Sequence, residues 1–102
     1  MDVTDKSDLL RVYHDLSRSF PPIAGVANGA MVLADGLFND MSFESMQKVL
    51  KPKVDGTKNL DEVFYSQDLD FFLLFSSLSA VVGMPGQANY AAANMVMLIQ
   101  RE

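Results

Sequence analysis

Tyr90 and Asn94 are spaced so that they could share one chemical site. They lie four positions apart, with alanines between them. In a helix this spacing places both side chains on one face, and the small alanines leave room for a ligand beside it. A phenol that gives its proton to a nascent alkoxide needs a nearby cation to stabilise the phenolate that forms. From these residues alone, a general acid and an ordinary amphipathic tyrosine both remain open.

The ends of two predicted strands could supply further groups to such a site. Ser77 comes shortly after the apolar run 71–75, and Asn28 and Gly29 follow the apolar run 23–27. Ligands of open α/β sheets bind beyond the carboxyl ends of the strands. Ser77 could hold a carbonyl oxygen through a hydrogen bond. Serines also commonly just end strands, so Ser77 by itself does not decide between the two interpretations.

Three helices are predicted from apolar side chains at helical spacing. The first begins after cap candidates in 5–8 and ends before Pro21. Ser42 caps the second, which runs to about Tyr65 and contains Pro52, where we expect a kink or a break. The third runs from residue 88 to residue 102 and carries Tyr90. Each helix therefore alternates along the chain with one of the strands.

The second strand decides the fold class. The run 69–75 is apolar on both faces after Asp70, which indicates a strand of a parallel sheet covered on both sides. The order helix, strand, helix, strand, helix favours an α/β fold with right-handed crossovers. Two strands do not make a complete sheet. We therefore predict a partial Rossmann-like, doubly wound parallel sheet.

Composition narrows the functions that need to be considered. The 102 residues carry a net charge of −5 without a basic stripe, which disfavours nucleic acid as a partner. No apolar run approaches the roughly 20 residues of a membrane span, and no signal-peptide pattern opens the chain, so we expect a cytoplasmic protein. Cysteine is absent and His14 is the single histidine, so we expect no metal site.

The combined motifs resemble one family over essentially the whole chain. The segments that carry the resemblance are 22–26, 51–57, 71–77, Gly83, 86–87 and 90–94. They are similar to the ketoreductase domain of polyketide synthases, closest to the fungal highly reducing type, within the short-chain dehydrogenase/reductase superfamily. The resemblance implies that residues 1–102 are the C-terminal portion of one such domain, without its N-terminal Gly-rich NADP-binding βαβ unit and its last strands.

The resemblance also implies a role for each residue of the site. Tyr90 would protonate the ketone, and Ser77 would bind the carbonyl oxygen. Ordinary members of the superfamily have a lysine four residues after the tyrosine, where this chain has Asn94. Polyketide ketoreductases take the lysine from the preceding helix, and Lys53 fits that place. Lys53 would assist Tyr90 and hold the nicotinamide ribose, and Asn94 would complete the proton relay.

Two short segments resemble the family's contacts with the adenosine end of NADPH. Asp2 and Val3 match the aspartate-containing turn that touches the adenine. Asn28 and Gly29 occupy the loop beside the adenosine ribose. Both signals are short, and ordinary loop residues would look the same.

Stereochemistry is the last property that the resemblance addresses. Asp35 matches the aspartate that marks ketoreductases giving the D-configured (3R) hydroxyl. Val82 stands where the opposite class usually has tryptophan. A D-configured product is therefore the expectation for the intact domain.

The implied reaction is NADPH-dependent reduction of a β-ketone. The β-ketoacyl chain would be tethered to the phosphopantetheine arm of an acyl carrier protein, and the remainder of the synthase chain would be the second partner. We expect this chain alone to be inactive, because no Gly-rich turn for the pyrophosphate is present. Two alternatives remain: a non-catalytic truncated α/β fragment, and a stand-alone short-chain reductase with another ketone substrate.

Overall fold

The computed structural model describes residues 1–99. The elements in chain order are α1 (Lys6–Ser19), β1 (Gly25–Asn28), a 3₁₀ turn (Phe38–Asp40), α2 (Phe43–Phe64), β2 (Phe71–Leu74), α3 (Ser79–Val82) and α4 (Ala88–Ile99). The α/β class and the alternation of helix and strand are confirmed. The short helix α3 is an addition to the predicted order, and the end of the last predicted helix lies outside the described residues.

Local signals at the helix ends explain where α1 and α2 begin. The Asp5 side chain accepts hydrogen bonds from the backbone N–H groups of Ser7 and Asp8, and the Ser42 side chain accepts one from that of Ser45. These caps satisfy N–H groups that have no partner inside the helix. The chain leaves α1 in extended conformation at Phe20, directly before the two prolines. The predicted starts of both helices are confirmed.

We expected a kink or a break at Pro52, and a break is excluded because α2 is one helix of 22 residues that contains this proline. A proline removes one hydrogen bond and crowds the preceding turn. Tertiary contacts offset that cost here, since the stretch after Pro52 buries Gly56, Leu60 and Phe64. The Pro52 carbonyl also accepts a hydrogen bond from Asn28 at the end of β1. Packing on both sides of the proline therefore keeps the helix continuous.

The two strands pair in parallel, as predicted, with Gly25 opposite Phe71 and Asn28 opposite Leu74. β1 covers 25–28, which is slightly later than the predicted run 23–27. The expectation that both sheet faces are covered is wrong for the described residues. Phe71 and Leu73 are each 49% exposed on one face. Side chains alternate between the faces of a strand, so the helices cover only the opposite face, which carries Phe72.

The core lies between the covered face of the sheet and the helices. Leu9 of α1 packs against Leu60 and Phe64 of α2, with Val26 and Phe72 of the strands beside them. Helix α2 also packs against α4, where the buried side chain of Lys53 lies beside that of Met97. This arrangement fixes α2 against both the sheet and α4, which places its buried polar residues close to the ends of the strands.

Candidate active site

Lys53 projects from α2 into the protein and is only 3% exposed. Its ammonium Nζ donates to the backbone carbonyl oxygen of Phe75, 2.7 Å away, and lies 3.8 Å from Sδ of Met97. The same nitrogen is 5.7 Å from the ring centroid of Tyr90, within the range of a cation–π contact. Burial lowers the pKa of Lys53 below its ordinary value, because the charged form loses hydration. The structure thus brings Lys53 and Tyr90 together.

The hydroxyl of Tyr90 points to the segment that follows β1. It donates a hydrogen bond to Sδ of Met31, 3.3 Å away. Met31 is 53% exposed, so this contact lies at the protein surface. A thioether is a weak acceptor, and a ketone oxygen would accept the same proton more strongly. Lys53 contacts the ring face of Tyr90, whereas the sequence predicted a cation near the phenol oxygen.

Asn94 is fully buried one helical turn after Tyr90. Its Nδ2 donates to the Tyr90 carbonyl oxygen, and its own carbonyl oxygen accepts from Oγ of Ser76, both at 2.8 Å. Its Oδ1 has no hydrogen-bond partner among residues 1–99. A buried acceptor without a donor is costly, so this atom is a natural place for a bound water.

Ser77 follows β2 and begins the turn that leads into α3. Its Oγ accepts hydrogen bonds from the backbone N–H of Ser79 at 3.2 Å and from the Ser79 hydroxyl at 3.1 Å. Both bonds use the serine oxygen as an acceptor, so its own proton remains available for a carbonyl oxygen. Val82 ends α3 and is 66% exposed. The structure therefore leaves this position open to solvent.

The segment that carries Asp35 is fastened to the start of α4. Asn89, which has no exposed surface, donates from Nδ2 to the Ala34 carbonyl oxygen at 2.8 Å and accepts from the Tyr90 N–H at 2.8 Å. Asp35 accepts a longer bond from Nε2 of Gln87 at 3.3 Å. Asn89 therefore connects the segment of Asp35 directly to the backbone of Tyr90.

Three glycines shape the same junction. The Gly36 N–H donates to the Gly86 carbonyl oxygen at 2.8 Å. Gly83 and Gly86 have φ values of 74° and 75°, a region that other residues rarely adopt. These glycines turn the chain between α3 and α4, so that α4 starts against the segment of Asp35.

A cavity of about 440 Å³ brings the four predicted adenosine-side residues together, since Asp2, Val3, Asn28 and Gly29 all line it. The Asp2 carboxylate is exposed, and hydrogen bonds from the N–H and hydroxyl of Thr4 lower its pKa. Asn28 is 3% exposed, and its amide is engaged by α2 rather than by solvent. Gly29 offers bare, exposed backbone at the cavity.

Val3 is held in this cavity wall by α2. Nδ2 of Asn59 donates to the Val3 carbonyl oxygen at 3.0 Å. A Cβ on Gly56 would lie 2.8 Å from Cγ1 of Val3, closer than packed atoms allow. The absence of a side chain at Gly56 therefore lets Val3 approach α2.

Sequence reasoning assigned no role to several residues that the structure places at the site. Asn89 fastens the segment of Asp35, Ser76 binds the carbonyl of Asn94, and Met31 receives the Tyr90 hydroxyl. An asparagine directly before the tyrosine was a detectable signal for Asn89, because its short amide side chain readily hydrogen-bonds to nearby backbone groups. Nothing in the local sequence distinguishes Met31.

Two features are absent from the described part of the chain. No group of three or more acidic or histidine side chains within residues 1–99 could hold a metal ion. In the same range, no helix has the length and apolar character needed to cross a bilayer.

Known proteins resemble this chain along nearly its full length. The family model for the KR domain matches residues 1–98. A stereoselective keto-reductase of Aspergillus fumigatus is 59% identical over 96 residues, which are 94% of this chain and 9% of that protein. A hybrid PKS-NRPS synthetase of Aspergillus flavus is 60% identical over 97 residues, which are 95% of this chain and 2% of the synthetase. The chain therefore spans a small part of the relatives that it matches.

Solved structures agree with the match to the family model. An N-terminal ketoreductase from the macrolactin assembly line superposes with a TM-score of 0.89 at 34% identity, over 94% of this chain and 20% of the other. A ketoreductase domain from the bacillaene assembly line gives the same TM-score at 36% identity, over 94% of this chain and 23% of the other. The predicted Rossmann-like fold and family are confirmed. This chain belongs to the KR domain family, the ketoreductases of polyketide synthases.

Proposed function

We propose that this chain carries the proton-donating half of a β-ketoacyl reductase site within a larger synthase. The observation that carries the proposal is the buried lysine: Lys53 comes from α2 and places its ammonium 5.7 Å from the Tyr90 ring centroid. Burying a cation costs free energy unless a partner compensates for its lost hydration. Asn94 stands where a lysine four residues after the tyrosine would otherwise supply this charge.

In this proposal each residue of the chain acts on the ketone or on the proton donor. Tyr90 gives its hydroxyl proton to the ketone oxygen as the carbonyl carbon receives the hydride. Ser77 donates a hydrogen bond to the same oxygen and stabilises its developing negative charge. Lys53 stabilises the phenolate left on Tyr90. The Oδ1 of Asn94, which has no hydrogen-bond partner among the described residues, would hold a water that returns a proton to Tyr90.

The residues present fit two ends of NADPH, which supplies the hydride when it is bound. The cavity at Asp2 and Gly29 offers a carboxylate and open backbone for the adenosine end. Lys53 fits the nicotinamide ribose, since its ammonium lies beside Tyr90. Residues 1–99 contain no Gly-rich turn opening a helix, so the pyrophosphate would need a cradle from elsewhere in the synthase.

The substrate in this proposal is a β-ketoacyl chain on the phosphopantetheine arm of an acyl carrier protein. The relatives named as synthetases support a place within a multidomain chain. We propose the cytoplasm as the location. Asp35, held by Gln87 at the start of α4, would direct the ketone so that a D-configured hydroxyl forms.

A chimera tests the proposed function directly. This chain would replace the matching 96 residues of the Aspergillus fumigatus keto-reductase, whose 59% identity keeps the packing similar. The purified chimera would be assayed for NADPH oxidation and alcohol formation with a β-ketoacyl thioester. We expect turnover that depends on Tyr90. A folded chimera that binds NADPH but reduces no β-ketoacyl thioester would contradict the proposal.

The exposed sheet face supports a second candidate, which applies to the isolated chain: by itself it is a non-catalytic fragment. Phe71, Leu73 and Phe75 leave about half of their side-chain surfaces open. Such a face stabilises a protein only when another layer covers it. NADPH oxidation by the isolated chain with a β-ketoacyl thioester would contradict this alternative.

A further inference from the structure

Asn28, the last residue of β1, is a buried polar side chain whose contacts reach across the fold. Its Nδ2 donates to the Pro52 carbonyl oxygen at 3.3 Å and to Oγ1 of Thr57 at 3.1 Å. Its Oδ1 accepts from the Ala30 N–H at 3.1 Å. The amide is therefore used fully inside the protein, and its donors serve only α2.

The two acceptors on α2 lie on either side of Lys53. Pro52 directly precedes Lys53, and Thr57 follows it by about one helical turn. Thr57 has no exposed surface, so its bond to Asn28 is shielded from water. The amide of Asn28 thus holds the turn of α2 from which the Lys53 side chain projects.

The backbone of Asn28 determines the other end of the Lys53 side chain. The Phe75 N–H donates to the Asn28 carbonyl oxygen at 3.1 Å, which extends the parallel pairing beyond β2. The Phe75 carbonyl oxygen then accepts from Nζ of Lys53 at 2.7 Å. One residue therefore locates both the root of the lysine and the carbonyl against which its ammonium lies.

We propose that Asn28 is a positioning residue for Lys53, acting through α2 and through the end of β2 rather than on substrate. The proposal rests on the proposed function, in which Lys53 serves Tyr90. A lysine side chain has several rotatable bonds and loses much conformational entropy when it is ordered. Holding its root and its hydrogen-bond acceptor from one residue confines the ammonium to the Tyr90 ring.

The test measures how often Lys53 becomes accessible, which requires neither cofactor nor ketone. The full chain would be treated with a water-soluble acetylating reagent, and mass spectrometry would follow each lysine separately. Lys48 and Lys51, both exposed on α2, serve as internal references. The variants are Asn28→Leu, which removes every side-chain bond, and Thr57→Val, which removes one acceptor.

The control is Val49→Ala. It changes a buried residue of the same helix that takes no part in the hydrogen bonds of Asn28. We expect Asn28→Leu to speed Lys53 acetylation relative to Lys51 by about five- to tenfold, which is what the loss of one or two buried hydrogen bonds amounts to. Thr57→Val should give a smaller rise, and Val49→Ala should give none beyond its general loss of stability.

An equal rise in all three variants at matched stability would overturn the proposal, because Asn28 would then be merely structural. No rise in either polar variant would overturn it as well. If Asn28→Leu does not fold, Thr57→Val decides the same question alone. A chimera without turnover would leave this readout unaffected, so failure of the proposed function and failure of this inference are distinguishable.

Discussion

Lys53 and Tyr90 meet across two helices, with the lysine Nζ 5.7 Å from the ring centroid of the tyrosine. The ammonium also donates a hydrogen bond to the Phe75 carbonyl oxygen, which fixes its position beside the ring. A charge held in this way in a site of low dielectric interacts more strongly with a developing phenolate than it would in water.

Removing the Tyr90 hydroxyl should abolish most of the turnover of the chimera. Tyr90→Phe deletes the proposed proton donor and leaves the ring that Lys53 covers. General acid catalysis contributes roughly 10²- to 10⁴-fold, so kcat should fall by about that factor while NADPH binding is retained. Steady-state kinetics and NADPH titration measure the two effects. Tyr65→Phe, at a 79% exposed tyrosine, is the matched control and should leave kcat unchanged.

Stability should rise with pH because of Lys53. Its folded pKa is lowered by burial, whereas the unfolded chain keeps a value near 10.5. The unfolded state therefore binds more protons between these two values, and the free energy of unfolding increases as pH rises through that window. Below the folded pKa the destabilisation by the buried charge is complete.

Lys53→Met removes this pH dependence. We expect the variant to be more stable than the parent at neutral pH, with a difference that shrinks towards pH 10.5. Urea denaturation followed by circular dichroism across this range gives the comparison. Lys51→Met, at an exposed position of the same helix, should show no such trend. A difference in unfolding free energy between Lys53→Met and the parent that stays constant with pH would contradict a lowered pKa of Lys53.

Asn89 should hold the segment of Asp35 in place. Asn89→Ala leaves the partly buried Ala34 carbonyl oxygen without this donor, which costs about 1 kcal/mol of unfolding free energy. Amide exchange at Gly36, whose N–H is bonded to Gly86, should become faster. Gln87→Ala loses only a longer, exposed contact and should have little effect on either measurement.

The product of the chimera should be the D-configured alcohol. The hypothesis depends on Asp35, which Gln87 holds at the start of α4. Asp35→Ala should lower the fraction of the D-configured product, because the ketone would lose the carboxylate that directs it. Chiral chromatography of the hydroxyacyl product measures this fraction. An L-configured product from the unaltered chimera would refute the hypothesis.

The open sheet face should drive self-association of the isolated chain. Phe71, Leu73 and Phe75 form an exposed apolar row on β2 and directly after it. Leu73→Lys places a charge in the middle of this row and should reduce association, which light scattering measures. Val81→Lys changes a 72% exposed residue of α3 and is the control. Equal effects of both charges would point to net charge rather than to this face.

Local rules predicted the beginnings of the helices correctly, but they did not decide whether the helix continues through Pro52. The caps at Asp5 and Ser42 act within a few residues, so the sequence is sufficient to find them. The continuity of α2 depends on the bond from Asn28 and on burial of the following turns, which are separated from Pro52 in sequence or in space. A rule that counts only the lost hydrogen bond misses these contacts.

The amino-acid sequence by itself determined the α/β class, the parallel pairing and the family, because periodicity and motif spacing are properties of the chain. It also indicated Tyr90 and Asn94 as neighbours, since four residues make one helical turn. Only the tertiary structure decided that Lys53 is buried beside Tyr90, while Lys48 and Lys51 stay exposed. Burial depends on which helix face meets α4 and the strand ends, and that is decided by packing across the whole fold.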